Sequence, residues 1–192
     1  MSSSASNPTL NWLDPNQRAT FVESEARKAL SVCADNRGDV RDAIAEDAYK
    51  TDSPIEAQFA AWFNAARGHE LALGRARFAI QLHPQFWLET NGRRYRLDFA
   101  IEPLDEWLRG ALLAESLTLK IGVELDGHAF HEKTKEQVTA RNQRDRDLSA
   151  ARWTVLHFSG SELHYNPMIA VVEVLSAGAD ALDQAKSALF HG

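Results

Sequence analysis

Residues 123–134 read VELDGHAFHEKT. If the first part is a strand, Glu124 and Asp126 share one face while Val123 and Leu125 share the other. Upstream, YRLDFAIE sets Asp98 opposite Tyr95, Leu97, Phe99 and Ile101 by the same alternation. Carboxylates about 4 Å apart repel by roughly 4 kcal/mol at an effective dielectric of about 20. A divalent cation removes that penalty. Hard cations such as Mg²⁺ take oxygen ligands, keep several waters and use one or two protein carboxylates beside phosphate oxygens. Asp98, Glu124 and Asp126 therefore read as half of a metal site.

The segment that follows supplies an independent clue. Lys133, Gln137, Arg141, Arg144 and Leu148 are spaced by four, four, three and four. At 3.6 residues per turn they fall within about 80° of one another on a helix. That face is basic and polar, and Val138, Leu148, Ala150 and Ala151 make no apolar stripe to replace it. A helix joining two buried strands packs on their sheet, so part of this face points at the carboxylates. Lysine or arginine there can hold a phosphate or stabilise charge during an attack on it. His128 and His131 suggest zinc, but no cysteine or third histidine lies near them in sequence, and His131 reads instead as a donor lining the site.

The elements that must position these groups are legible in outline. Residues 1–14 are rich in Ser, Asn and Pro and read as disordered. Residues 15–52 are helical and polar, with a break at Asn36-Arg37-Gly38. Ser53 and Pro54 start a helix whose stripe is Ile55, Phe59, Trp62, Phe63 and Ala66, with Glu56 at its edge. FAIQLHPQFWLE, the NGRR turn and YRLDFAIE form a hairpin. Residues 103–118 read as irregular or partly helical. Residues 119–126 form a third strand, a helix runs over about 132–151, WTVLHF is a short strand, and an amphipathic helix begins near Pro167. The expected fold is α/β: a mixed central sheet flanked by helices over 53–192, with an N-terminal helical extension.

A chain of 192 residues with 44% hydrophobic and 25% charged residues can bury an ordinary core. Its single cysteine, Cys33, excludes an internal disulfide. No secretory signal or membrane span is visible, so cytoplasmic location is the expectation. The net charge of −6 excludes a passive DNA-coating protein and makes any basic footprint local.

Four segments, SPIEAQF, YRLDFAI, IGVELDGHAFHEKTKEQ and RDRDLSAARWTVLHFSGSEL, together resemble the PD-(D/E)XK nuclease superfamily, in the branch similar to very-short-patch-repair endonucleases. The resemblance spans roughly residues 53–166. It implies a restriction-endonuclease-like fold and a metal-dependent nuclease. On it, Asp98 and Glu124 match the acidic metal ligands and Glu56 the glutamate on the preceding helix. Asp126 stands where the motif has its lysine, so the site reads D…ExD. Lys133, Lys135 or Gln137 would stand in for that lysine, and the helical face favours Lys133 and Gln137. Leu97, Arg152 and His157 also depart from the pattern.

The implied reaction is hydrolysis of DNA phosphodiesters with Mg²⁺, or Mn²⁺ as substitute, in defence, repair or a mobile element. Asp98, Glu124 and Asp126 would hold metal; Lys133 would face the attacked phosphate; His131, Arg141, Arg144 and Arg146 would contact the nucleic acid. Two other expectations stay open: a catalytically inactive binding or interaction subunit on a nuclease fold, and a subunit whose specificity lies in a protein partner. Oligomeric state is open.

Overall fold

A computed structural model describes residues 10–33, 47–126 and 135–191. Four strands form one mixed sheet in the order β1 (Ile80–Thr90), β2 (Arg93–Pro103), β3 (Ile121–Asp126) and β4 (Thr154–Ser159). The first two pairings are antiparallel and β3–β4 is parallel. Helices flank it: α1 (Pro15–Val32), α2 (Pro54–Ala72), α3 (Glu106–Ala114), α4 (Lys135–Ala150), α5 (Gly160–Tyr165) and α6 (Pro167–His191). The chain is thus α/β, a mixed sheet flanked by helices. Among the described residues no helix is long and apolar enough to cross a membrane.

Local chemistry explains the element ends. The β1–β2 hairpin turns at Asn91 and Gly92, both with positive φ (52° and 68°), the pair that a two-residue turn matched to strand twist requires. Ser53 caps α2 by accepting from the Glu56 backbone N–H, with Pro54 in the first turn. Asp14 caps α1 and Asp105 caps α3 in the same way. Ser159 and Glu162 form a reciprocal capping box that starts α5, a helix the sequence reading left out although its S-x-x-E signature was there.

The main core lies between the sheet and the α2–α6 layer. The Phe59 ring of α2 sits 5.6 Å from Phe99 and 6.4 Å from Phe158, and Val123, Leu163 and Leu182 are fully buried with it. Removing a ring such as Phe59 costs about 3–5 kcal/mol in cores of this kind. Helix α1 packs on the outer side of α2, where the Trp62 Nε1 donates to the buried Glu25 at 3.1 Å. Helix α4 lies on the other face of the sheet, over β3 and β4.

One expectation about strand faces is corrected. Tyr95, Leu97, Phe99 and Ile101 do not share a face. Phe99 and Ile101 turn to α2 and α6, while Leu97 lies over Gly122 on the α4 side. The alternation slips at Asp98. Opposite it in the hairpin, between the pairs Pro84↔Phe99 and Phe86↔Leu97, stands Gln85 with φ 54°. A left-handed residue inside a strand bends the ribbon locally, and the bend re-aims the side chains on either side of it.

The Asn36-Arg37-Gly38 break lies outside the described residues, as do residues 1–9 of the segment expected to be disordered.

Candidate active site

The β2–β3 ladder is short: it pairs Ala100 with Gly122 and Phe99 with Val123, and there it ends. The next two positions are Asp98 and Glu124. Where the strands part, the Asp98 side chain takes the place of the missing backbone acceptor, its Oδ2 accepting from the Leu125 N–H at 2.7 Å. Burial pushes the Asp98 carboxyl up to about 6. The Leu125 N–H works against that shift, and Glu124 adds to it.

The positive charge these carboxylates call for comes from α4. Arg144 grips Glu124 with both arms, Nη1 to Oε2 at 3.1 Å and Nη2 to Oε1, and Nη2 also donates to the Arg96 carbonyl at 2.9 Å. Such a two-armed pair adds geometric specificity to the charge. Burial opposes the guanidinium's charge, but the Glu124 hydrogen bonds together with the charges of Glu124, Asp145 and Asp98 outweigh it and its pKa rises. One turn earlier Arg141 reaches the rim, with Nη2 3.3 Å from Asp126 Oδ2 and 3.5 Å from His157 Nδ1. His157 sits beside Glu124 in the parallel register, and burial with Arg141 nearby lowers its pKa. Glu124, Asp126, Arg141, Arg144, His157 and Tyr95 line one open cleft of about 320 Å³.

Glu56 joins from the start of α2 and is 7% exposed. Its carboxylate accepts from the Ser53 hydroxyl (2.6 Å), the Asp52 N–H (3.0 Å) and the Gln85 side-chain amide (2.6 Å). Burial raises its pKa against the Ser53 and Asp52 hydrogen bonds, and Asp98 raises it further. Gln85 Oε1 is buried with no hydrogen-bond partner. An orphaned acceptor beside Glu56 and opposite Asp98 has an unmet need for a donor or a cation.

These residues fit a hard divalent cation in donor type, since Asp98, Glu124 and Gln85 all offer oxygen and Mg²⁺ needs only one or two carboxylates. Among the described residues no three His, Cys, Asp or Glu side chains already converge as a metal cluster. Both Glu124 oxygens are engaged by Arg144, so a metal there would compete with the guanidinium for Glu124.

Comparison with protein-family models, with curated proteins and with solved structures returns no match. The site stands on its own geometry.

Of the residues singled out in sequence, Asp98, Glu124 and Glu56 come together, and Asp126 is on the exposed rim. Arg141 and Arg144 face carboxylates, while Arg146 is exposed and donates to Gln143 at 2.8 Å. Gln137 is on α4, but its side chain, like all of His128, His131 and Lys133, lies outside the described residues.

The sequence reading missed Asp147. This buried carboxylate on α4 accepts from Asn91 (3.1 Å), Arg93 (3.2 Å), the Tyr95 hydroxyl and Gln143 (2.9 Å). Tyr95, then Asn91, hold it down at about 2. It ties α4 to the hairpin and so fixes Arg144 over Glu124. Its signal in the sequence is spacing alone, an acid three residues beyond Arg144 and four beyond Gln143.

Proposed function

We propose that this chain is a metal-dependent nuclease that hydrolyses DNA phosphodiesters on a restriction-endonuclease-like fold. One observation carries the reading: Asp98 and Glu124 meet where the β2–β3 ladder ends, and the Arg144 guanidinium that Glu124 holds also acts on Asp98. Three carboxylates, Asp98, Glu124 and Glu56, face two guanidinium groups, Arg144 and Arg96, which favours a further cation. Asp98 and Glu124 would hold Mg²⁺ or Mn²⁺, with Asp126 at the rim as a further ligand or orienter of water. Bound there, the metal would supply a water of lowered pKa and charge to stabilise the attacked phosphate. Arg144, released from Glu124, and Arg141 would then contact the phosphate backbone, which positions the substrate without reading sequence. Glu56 holds Gln85 and keeps the Asp98 side of the site in place. Lys133 and Gln137 remain the candidates for the lysine's part.

A second reading has support of its own. An arginine closed on both Glu124 oxygens also suits a site that no longer binds metal, in an interaction subunit whose activity resides in a partner. Cleavage of supercoiled plasmid and labelled single strands with Mg²⁺, Mn²⁺ or EDTA separates the two. The nuclease reading expects metal-dependent cutting that Glu124→Gln and Asp98→Asn each reduce by about a hundredfold or more. Absence of cutting on every strand form, in wild type and variants alike, favours the second reading.

A further inference from the structure

The β1–β2 hairpin has two unlike faces near its tip. On one, Asn91, Arg93 and Tyr95 are bound by Asp147. The other carries Trp87, Arg94 and Arg96. Trp87 pairs directly with Arg96 across the strands, and Arg94 is its diagonal neighbour. The Arg94 guanidinium lies 4.2 Å from the Trp87 ring centroid and that of Arg96 lies 5.9 Å away. Trp87 is nonetheless 51% exposed. An indole that stayed for packing alone would be covered, because most of its stabilising value is the area it removes from water.

The patch is wired to the site below it. Arg96 uses one arm on Asp52 at 2.9 Å, which leaves most of its five N–H donors unspent, and its backbone carbonyl receives Arg144. Glu89 stands opposite Arg94 and Asp52 beside Arg96, so the face is not a strong field. Its distinguishing feature is the stack of indole and guanidinium. Both surfaces accept a nucleobase by stacking, and arginine beside them takes the adjoining phosphate. In a duplex the bases already cover each other's faces, so such a platform favours an unpaired base.

We infer that the outer hairpin face, centred on Trp87 with Arg94 and Arg96, is a docking platform for single-stranded nucleic acid. The inference rests on the nucleic-acid reading above and adds the strand form. A base stacks on Trp87, and Arg94 and Arg96 hold the flanking phosphates.

The test is fluorescence anisotropy in EDTA with a labelled single strand and the same sequence as duplex, so that no cleavage is needed. Trp87→Ala is expected to weaken single-strand binding about tenfold, in line with base–aromatic stacking, and to change duplex binding less. Trp87→Phe should keep most of the affinity, and Arg94→Gln should weaken both forms and flatten the salt dependence. Thermal melts of each variant confirm folding, which an exposed side chain permits. Single-strand binding that ignores Trp87→Ala, an equal loss on both forms, or no binding by wild type overturns the platform. Binding and cleavage measured side by side separate the two proposals: a wild type that binds through Trp87 but cuts nothing keeps the platform and sinks the nuclease.

Discussion

Arg144 holds Glu124 by both arms of its guanidinium, and this pair supplies the positive charge that two neighbouring carboxylates on parting strands demand. The two side chains are 21% and 16% exposed, so the pair is neither a surface contact nor a dry one. In such a setting each partner lost leaves the other partly desolvated and alone.

Arg144→Met therefore acts in two directions. Without metal it should destabilise the protein by about 1–3 kcal/mol, because the half-buried Glu124 carboxyl loses both of its Arg144 donors. Added Mg²⁺ should stabilise the variant more than wild type, since nothing then competes for the Glu124 oxygens. Melting curves with EDTA and with millimolar Mg²⁺ measure both. An identical Mg²⁺ shift in the two proteins would mean that Arg144 and metal do not contend for one place.

Asp98 predicts a trade between stability and activity. Its pKa is about 6 in the fold against about 3.9 in an unfolded chain. Between those values the folded state binds more protons, so wild-type stability falls as pH rises through that window and stays lower above it. In EDTA, Asp98→Asn should be more stable than wild type at pH 8, by about 1–2 kcal/mol once partial solvation is allowed for. The gain should vanish below pH 4. The same variant should lose metal-dependent cleavage. Denaturant titrations at several pH values would show it, and a constant offset from pH 4 to 8 would contradict the shift.

Asp147 has the opposite sign. Held at about 2, below its unfolded value, it stabilises the fold above about pH 4, and that contribution is lost as pH falls through about 2. Asp147→Ala should lower the melting temperature by several degrees at pH 7, with the gap to wild type closing towards pH 2. Hydrogen exchange should quicken in α4 and at the hairpin tip, the two parts it joins, more than in α6.

Much of this arrangement was legible in the sequence because it follows local rules. Asn91-Gly92 dictates the hairpin, Ser53-Pro54 starts α2, and the spacing of Arg141, Arg144 and Leu148 puts them on one face of α4. Other features depend on partners far along the chain. Asp147 reads as one acid among basic residues until Asn91, Arg93 and Tyr95 fold onto it. Trp87, like any aromatic in a strand, reads as core, and only the path of the hairpin exposes it. The slip at Asp98 follows from Gln85 adopting positive φ, which no alternation pattern encodes. In sequence Arg144 reads as a grip for nucleic acid, and its two-armed contact with Glu124 emerges only when α4 is docked.

That slip can be tested directly at Gly122. A Cβ there would lie 2.8 Å from Leu97 Cδ1 and 3.5 Å from Val155 Cγ2, which places Leu97 against β3 on the α4 side. Had the strand alternated without a break, Leu97 would face α2 beside Phe99, and an added methyl at Gly122 would not meet it. Gly122→Ala should therefore cost about 1–3 kcal/mol through overpacking under α4. Shortening the neighbour should restore part of it, so Gly122→Ala with Leu97→Val is expected to be more stable than the two single changes added together predict. Urea unfolding of the four proteins in the cycle gives the coupling. A coupling near zero would return Leu97 to the other face and remove the bend at Asp98 that brings its carboxylate beside Glu124.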